Sequence, residues 1–379
     1  MLKSQTDSVF FVAAAGAGKT KRLVDIAVKH NGRVLLTTYT RQNTEEIINR
    51  IAVTGFSKNI RILPWYTFLL QQCIQPYQGC FTQKRISGLH WVEGRSGIKR
   101  LSNGQIINLH DEDEREYYLD SSWRVYSDKM SKFALKIDDL SSGEVVARLA
   151  RAYSAILVDE VQDMVGYDLE LLGRISGQVR KTVFAGDPRQ KTYETHKDAK
   201  NKKFSGGGIS RYFAEKCKWV KIDTTSLGIN YRSNPLICKL ADELYPSMPQ
   251  SVSGVESQEG HLGVHYVKES EVEGYLRMVR PMQLRENVKR VVSGICPVMN
   301  FGEAKGRAFE HVLIYPTEPM SKWLVDHSAE LKQQARARLY VAITRAQKSV
   351  AFVVDNKIAK KLSGRRCPFF VANSCCESR

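Results

Sequence analysis

Residues 13–20 read AAAGAGKT, set between the apolar run VFFV and the helix-like stretch KRLVDIAVKH. A strand that turns through glycines into a helix, with Lys-Thr at the helix start, aims backbone N–H groups at one spot and cradles phosphate there. Gly16 and Gly18 supply the turn, Lys19 reaches the β and γ phosphates, and Thr20 offers a hydroxyl to Mg²⁺. Because the loop needs a strand before it and a helix after it, it commits its surroundings to an α/β arrangement.

Other short apolar runs fit that arrangement: RVLLTTY (33–39), NIRIL (59–63), AILVDE (155–160), TVFAGD (182–187), HVLIYP (311–316) and SVAFVV (349–354). Runs of this length, bounded by turn residues and alternating with amphipathic segments, read as buried strands of parallel sheets. The loop's own strand and the first four of these runs lie before residue 190 and the last two after 310, so two sheets are expected. Between Phe68 and about Leu140 the pattern changes to Gly-, Ser- and Arg-rich sequence, as expected of a small insertion in the first sheet. A second polar stretch, KDAKNKKFSGGG (197–208), reads as an exposed basic loop.

The chain has 379 residues, with 57 Lys+Arg against 40 Asp+Glu and a formal charge of +17. That excess favours a polyanionic partner, nucleic acid first, although a solvated basic surface would have the same composition. The eight cysteines form no CxxC pair and have no His at zinc-ligand spacing, so they read as reduced thiols. No apolar run approaches the roughly 18–20 residues of a membrane span, and no signal peptide is expected ahead of the loop. A cytoplasmic or nucleoplasmic protein with no membrane partner is the expectation.

Two further segments carry chemistry. In AILVDEVQD (155–163) an apolar strand ends in adjacent carboxylates. Beside a phosphate loop, Asp159 is placed to hold the Mg²⁺ and Glu160 to orient the attacking water. In TVFAGDPRQKTY (182–193) another strand ends in a polar cluster, from which Gln190 is a candidate sensor of the γ-phosphate; taken alone, the segment reads first as a turn, Asp-Pro being a common turn former.

The order of these segments resembles the UvrD/Rep branch of superfamily 1 helicases, across nearly the whole chain. LLTTYTRQNTEEIINRI (35–51) and ILPWYTFLL (62–70) are similar to that family's early motifs, AILVDEVQD to its DExQD motif and TVFAGDPRQKTY to GDxxQxIY. LGINYRSNPLICKLAD (227–242), FGEAKGRAFEHVLIY (301–315) and RLYVAITRAQKSVAFVV (338–354) are similar to NYRS, SAKGLEF and VAxTRA. The resemblance implies two RecA-like P-loop domains, an α/β fold with parallel sheets and a small insertion in the first. The expected boundaries are 1–68 with 141–225 for the first domain, 69–140 for the insertion and 226–379 for the second.

It also implies roles. Ala15, Gly16, Ala17, Gly18, Lys19, Thr20 and Lys21 would bind ATP, together with Tyr231, stacked on adenine, and Lys305 and Gly306 of the fifth motif. Thr20 and Asp159 would hold Mg²⁺, with Asp159, Glu160, Gln190, Arg232 and Arg345 as the catalytic set, the two arginines acting on the γ-phosphate in the manner of arginine fingers. Thr38, Tyr39, Tyr66, Phe68 and Tyr193 would touch single-stranded nucleic acid through phosphate contacts and stacking; for Tyr39, Tyr66 and Phe68, packing in the core is an equal alternative, whereas at Tyr193 the match favours the contact. The implied activity is an ATP-dependent helicase or translocase on single-stranded DNA, moving 3′ to 5′, in which hydrolysis is coupled to domain closure.

The sequence departs from that pattern in places. Lys21-Arg22 follows GKT where the family has Arg directly, Glu303 stands where it has Ser, and Ala308 where it has an acidic residue. After Tyr193 the expected Trp-Arg-Gly is not contiguous, with Phe204 a displaced equivalent. Only about 70 residues separate Arg232 from Lys305, too few for a second inserted domain. Two alternatives stay open: a nucleic-acid-stimulated ATPase that regulates a partner nuclease, and an RNA helicase. No acidic cluster of a nuclease is visible in the chain itself.

Overall fold

In the computed structural model, residues 6–54, 59–111, 115–191, 200–204, 208–256, 259–363 and 368–370 are described. They divide into two compact units. The first takes its residues from up to Val12, from 19–188 and from 200–223; the second from 13–18, from 189–191 and from 224 onward. Both are RecA-like α/β arrangements built on wholly parallel sheets.

The first unit's six-stranded sheet runs in the order Val220–Asp223, Asp7–Val12, Lys181–Gly186, Ala155–Val158, Val34–Thr38, Ile60–Pro64. Its inner strands are apolar because helices cover both faces; Val34–Thr38 and Ala155–Val158 are buried along their whole length. Helix Lys19–Lys29 buries Leu23, Val24 and Ala27, a single stripe that seats it on the sheet. All strands being parallel, their carboxyl ends share one edge, so Val12, Thr38, Val158 and Gly186 deliver the following residues to one side.

The chain leaves this sheet after Ile60–Pro64 and re-enters it at Ala155–Val158. In between, Gly88–His90 pairs in parallel with Arg124–Tyr126, and Ile98–Arg100 pairs antiparallel with Ile106–Asn108. The return is anchored by Asp168, fully buried, which accepts from the Trp65 indole N–H at 3.0 Å and from the Ser131 hydroxyl. Arg148 adds a 2.6 Å bond to the Gln72 carbonyl.

The second unit's sheet runs Gly263–Lys268, Ala346–Val354, Phe309–Ile314, Met282–Arg285, Val298–Asn300. Helix Pro235–Glu243 starts where it does because Asn234 accepts from the Leu236 and Ile237 N–H groups and Pro235 needs no partner at the first turn. Ser233 donates to the Ala346 carbonyl at 2.6 Å and so fixes this turn to the start of the strand Ala346–Val354. Among the described residues no helix is long and apolar enough to cross a membrane. Cys73, Cys217, Cys238 and Cys296 are free and buried, and Cys80 is free and exposed.

All seven apolar runs form strands, but Val220–Asp223, Gly263–Lys268, Met282–Arg285 and Val298–Asn300 escaped the sequence reading. Each is short or carries charged residues. Val220–Asp223, for instance, lies at the sheet edge, pairs with Asp7–Val12 and holds Lys221 and Asp223.

One cluster in this unit predicts an acid response. His261 stacks 4.0 Å from His265 and lies 5.9 Å from His311, with Nε2 3.0 Å from the Tyr275 hydroxyl. Burial first, then the neighbouring imidazoles, push His261 down from 6.5 to about 4, and burial lowers His265 and His311 too. Protonation is thus harder in the folded chain than in the unfolded one. Stability from this cluster is complete above pH 6.5 and is lost as pH falls toward 4. Denaturant midpoints measured from pH 7 to 4.5 are expected to fall, and His261→Gln should flatten that fall.

Candidate functional site

The first unit brings the second half of the phosphate loop against the strand that ends in two carboxylates. Lys19 and Thr20 open helix Lys19–Lys29, and Lys19 is buried. The Thr20 hydroxyl donates to Asp159 Oδ2 at 2.6 Å. Burial and the adjacent Glu160 carboxylate push Asp159 above the usual carboxylate range, while the Thr20 hydrogen bond and the Lys19 charge act the other way. Two hard oxygen donors side by side, flanked by a lysine, suit Mg²⁺, which takes few protein ligands and completes its octahedron with phosphate oxygens and water. Among the described residues no group of three or more His, Cys, Asp or Glu forms a closed metal cage.

Glu160 sits in the left-handed region, φ 54°, a costly conformation for a non-glycine residue, and its N–H donates to Asp159 Oδ1 at 2.9 Å. Its carboxylate accepts from the Gln162 side-chain amide, whose Oε1 in turn accepts from the Asp187 N–H at 3.0 Å. Gln162 therefore links the ends of two neighbouring strands and orients Glu160. Gly186 leaves it room: a Cβ there would lie 2.6 Å from Gln162 Oε1. Sequence reasoning passed over Gln162, although it stands in the quoted VDEVQD; its role is visible only once the two strands are neighbours.

The second unit holds the first half of the loop. Gly16 (φ 76°) and Gly18 (φ 78°) are left-handed, as the glycine turn requires. The Gly16 carbonyl accepts from the Tyr231 N–H at 3.0 Å, and the Ala15 N–H donates to the Tyr340 hydroxyl at 3.2 Å. Ala17 is buried and Lys21 exposed. Asn230 Oδ1 accepts from the N–H groups of Arg232 and Ser233 at 2.8 and 3.1 Å, and a Cβ on Gly16 would come within 2.4 Å of it. Asn230 is a second residue missed at the sequence level.

Tyr231 is 66% exposed, with its ring available for stacking. Arg232 donates to the Thr344 carbonyl at 3.2 Å. Arg345 is 1% exposed and donates to Val341 O, Arg307 O, Thr344 Oγ1 and Gln190 Oε1 at 3.0, 3.1, 3.1 and 3.3 Å. Gln190 and Arg345, far apart in sequence, are thus brought together. Gly306 is left-handed at φ 83° beside the half-buried Lys305, and Glu303 accepts from the Asn300 N–H at 2.9 Å, shaping that turn.

Of the candidate contacts to nucleic acid, Tyr39 and Tyr66 are half-buried and joined through their hydroxyls at 3.1 Å. Thr38 is buried at the end of its strand, its hydroxyl without a hydrogen-bond partner among the described residues. Phe68 requires a correction: it is fully buried with its ring 5.2 Å from Trp65, so it packs the core and shows no face to a ligand. Phe204 is likewise buried, edge-on to Tyr212 at 5.2 Å. Tyr193 lies outside the described residues, as do 197–199 and 205–207 of the basic loop.

Among solved structures, the chain is similar to an arterivirus nonstructural protein 10 helicase, with 14% identity, a TM-score of 0.46, and coverage of 94% of this chain and 62% of that one. The same protein in complex with DNA gives 15%, 0.44, 94% and 63%, and the PRRSV helicase 16%, 0.44, 92% and 52%. The chain therefore spans less than two thirds of the length of each. No curated protein matches it significantly. A family model described as an AAA domain matches residues 2–196, just over half of the sequence, and takes in the phosphate loop, the paired carboxylates and Gln190. On that match the chain belongs to the AAA-domain family.

Proposed function

We propose that the chain is an ATP-dependent superfamily 1 helicase or translocase of the UvrD/Rep type, acting on single-stranded nucleic acid, DNA foremost, with 3′ to 5′ movement. The observation that carries this reading is the 2.6 Å hydrogen bond from Thr20 to Asp159, which couples the phosphate loop to a carboxylate pair. In this reading Lys19 binds the β and γ phosphates, and Thr20 and Asp159 hold Mg²⁺, which when bound neutralises phosphate charge. Glu160, steadied by Gln162, orients the attacking water and accepts its proton. Arg345 and Arg232 supply positive charge to the departing phosphoryl group, and hydrolysis is coupled to closure of the two RecA-like domains. The exposed Tyr231 stacks on adenine, with Lys305 and Gly306 completing the nucleotide site.

ATP hydrolysis measured alone, with oligo-dT and with oligo-rU tests the reading. Stimulation by oligo-dT is expected; stimulation by oligo-rU alone assigns an RNA helicase, and no stimulation by either overturns the proposal. Strand displacement on a forked duplex then separates unwinding from an ATPase that only signals to a nuclease. Lys19→Ala removes a charged hydrogen bond to phosphate and should weaken ATP affinity about 10- to 100-fold in a fluorescent-nucleotide titration.

A further inference from the structure

Tyr39 and Tyr66 are the first two members of an aromatic row that sequence motifs do not complete. Their ring centroids are 5.7 Å apart, and beyond Tyr66, at 5.8 Å with its plane perpendicular, stands Trp91. The row runs outward, from two half-buried tyrosines to an indole that is 59% exposed. Trp91 belongs to the insertion rather than to any motif of the resemblance.

Its backbone is held on both sides. His90 ends the strand Gly88–His90, paired with Arg124–Tyr126, and its Nδ1 lies 2.7 Å from Asp120 Oδ2. The Val92 N–H donates to Ser127 Oγ at 3.0 Å. Trp91 therefore projects from a fixed backbone and rests against Tyr66, which limits the entropy lost when something stacks on it. Its indole N–H meets no acceptor among the described residues, so the side chain is neither core nor a structural hydrogen-bond donor. The surrounding segment, 84–100, carries five Lys or Arg (Lys84, Arg85, Arg95, Lys99, Arg100) against one Glu (Glu93). An apolar protein surface leaves those charges unanswered and an acidic one answers the charges but not the ring, whereas a nucleic acid strand offers both a negative backbone and flat rings.

We propose that Trp91 is a stacking platform for an unpaired nucleobase, extending the Tyr39–Tyr66 surface onto the insertion. This rests on the reading of the chain as a binder of single-stranded nucleic acid. Stacking needs only a base face, so DNA and RNA strands both qualify, and the test carries both.

The test is fluorescence anisotropy with labelled oligo-dT and oligo-rU on the full chain, across a salt series. Trp91→Ala should bind the strand that wild type prefers about 5- to 100-fold more weakly, and Trp91→Phe should restore most of the loss. The slope of log K against log salt should stay at the wild-type value, because no phosphate contact is removed. Wild-type affinity in Trp91→Ala overturns the assignment and leaves the functional reading standing. So does a Phe variant as weak as the Ala variant, or a slope that falls with the affinity. If wild type binds neither oligonucleotide, the functional reading itself fails and Trp91 falls with it. Thermal melts of both variants identify a binding loss that comes from unfolding; Trp91→Phe melting as wild type does and still binding weakly overturns the proposal.

Discussion

Glu160→Gln is expected to lower the rate of ATP turnover about 10²- to 10⁴-fold, the range a positioned proton acceptor contributes, while ATP affinity changes little. The amide keeps the size of the carboxylate and its place beside Gln162 but can no longer take a proton from water. The left-handed backbone at Glu160 argues that its placement matters, since φ 54° at a residue with a side chain is maintained against a conformational cost. Pre-steady-state hydrolysis and a nucleotide titration on the same preparation give both numbers. Gln162→Ala should produce a smaller drop of the same kind, because it frees the carboxylate without removing it. Unchanged turnover in Glu160→Gln would assign the base elsewhere.

Arg345→Ala should have two separable effects. The guanidinium is buried and satisfies the carbonyls of Val341 and Arg307, so truncation leaves a cavity and unpaired acceptors, costing about 2–4 kcal/mol of stability. If the side chain also acts on the γ-phosphate, turnover falls by about 10³- to 10⁵-fold, the effect of removing an arginine finger. Thermal melting reports the first, and hydrolysis assayed well below the melting range reports the second. Arg345→Lys is expected to rescue neither fully, because an ammonium cannot reproduce the forked set of donors. A variant that melts early yet turns over normally would make Arg345 purely architectural.

Much of the fold was legible because buried parallel strands advertise themselves as short apolar runs, as in VFFV and AILV. Short strands that carry polar or charged residues did not: Lys221 and Asp223 interrupt Val220–Asp223, His265 and Lys268 interrupt Gly263–Lys268, and Gln283 and Arg285 interrupt Met282–Arg285. Site residues were legible where the chemistry demands a residue type: glycine at a left-handed turn, lysine for phosphate, adjacent carboxylates at a strand end. They were illegible where the role is to position another group. Gln162 and Asn230 act through neighbours that only the folded sheet and turn supply, and Phe68 stayed open between stacking and core packing because a motif position says nothing about which way a ring packs.

The strand Asp7–Val12 has two neighbours in its sheet, Lys181–Gly186 and Val220–Asp223. Both are made at least about 170 residues later, so at ribosomal rates of about 5–20 residues per second it waits roughly 9–35 seconds for its first partner. Throughout that interval an apolar FFV sequence is unpaired in the nascent chain, and the nucleotide loop that follows it has no sheet to hang from. Production of this protein should therefore respond to chaperone supply and to translation speed more than to the stability of the finished molecule.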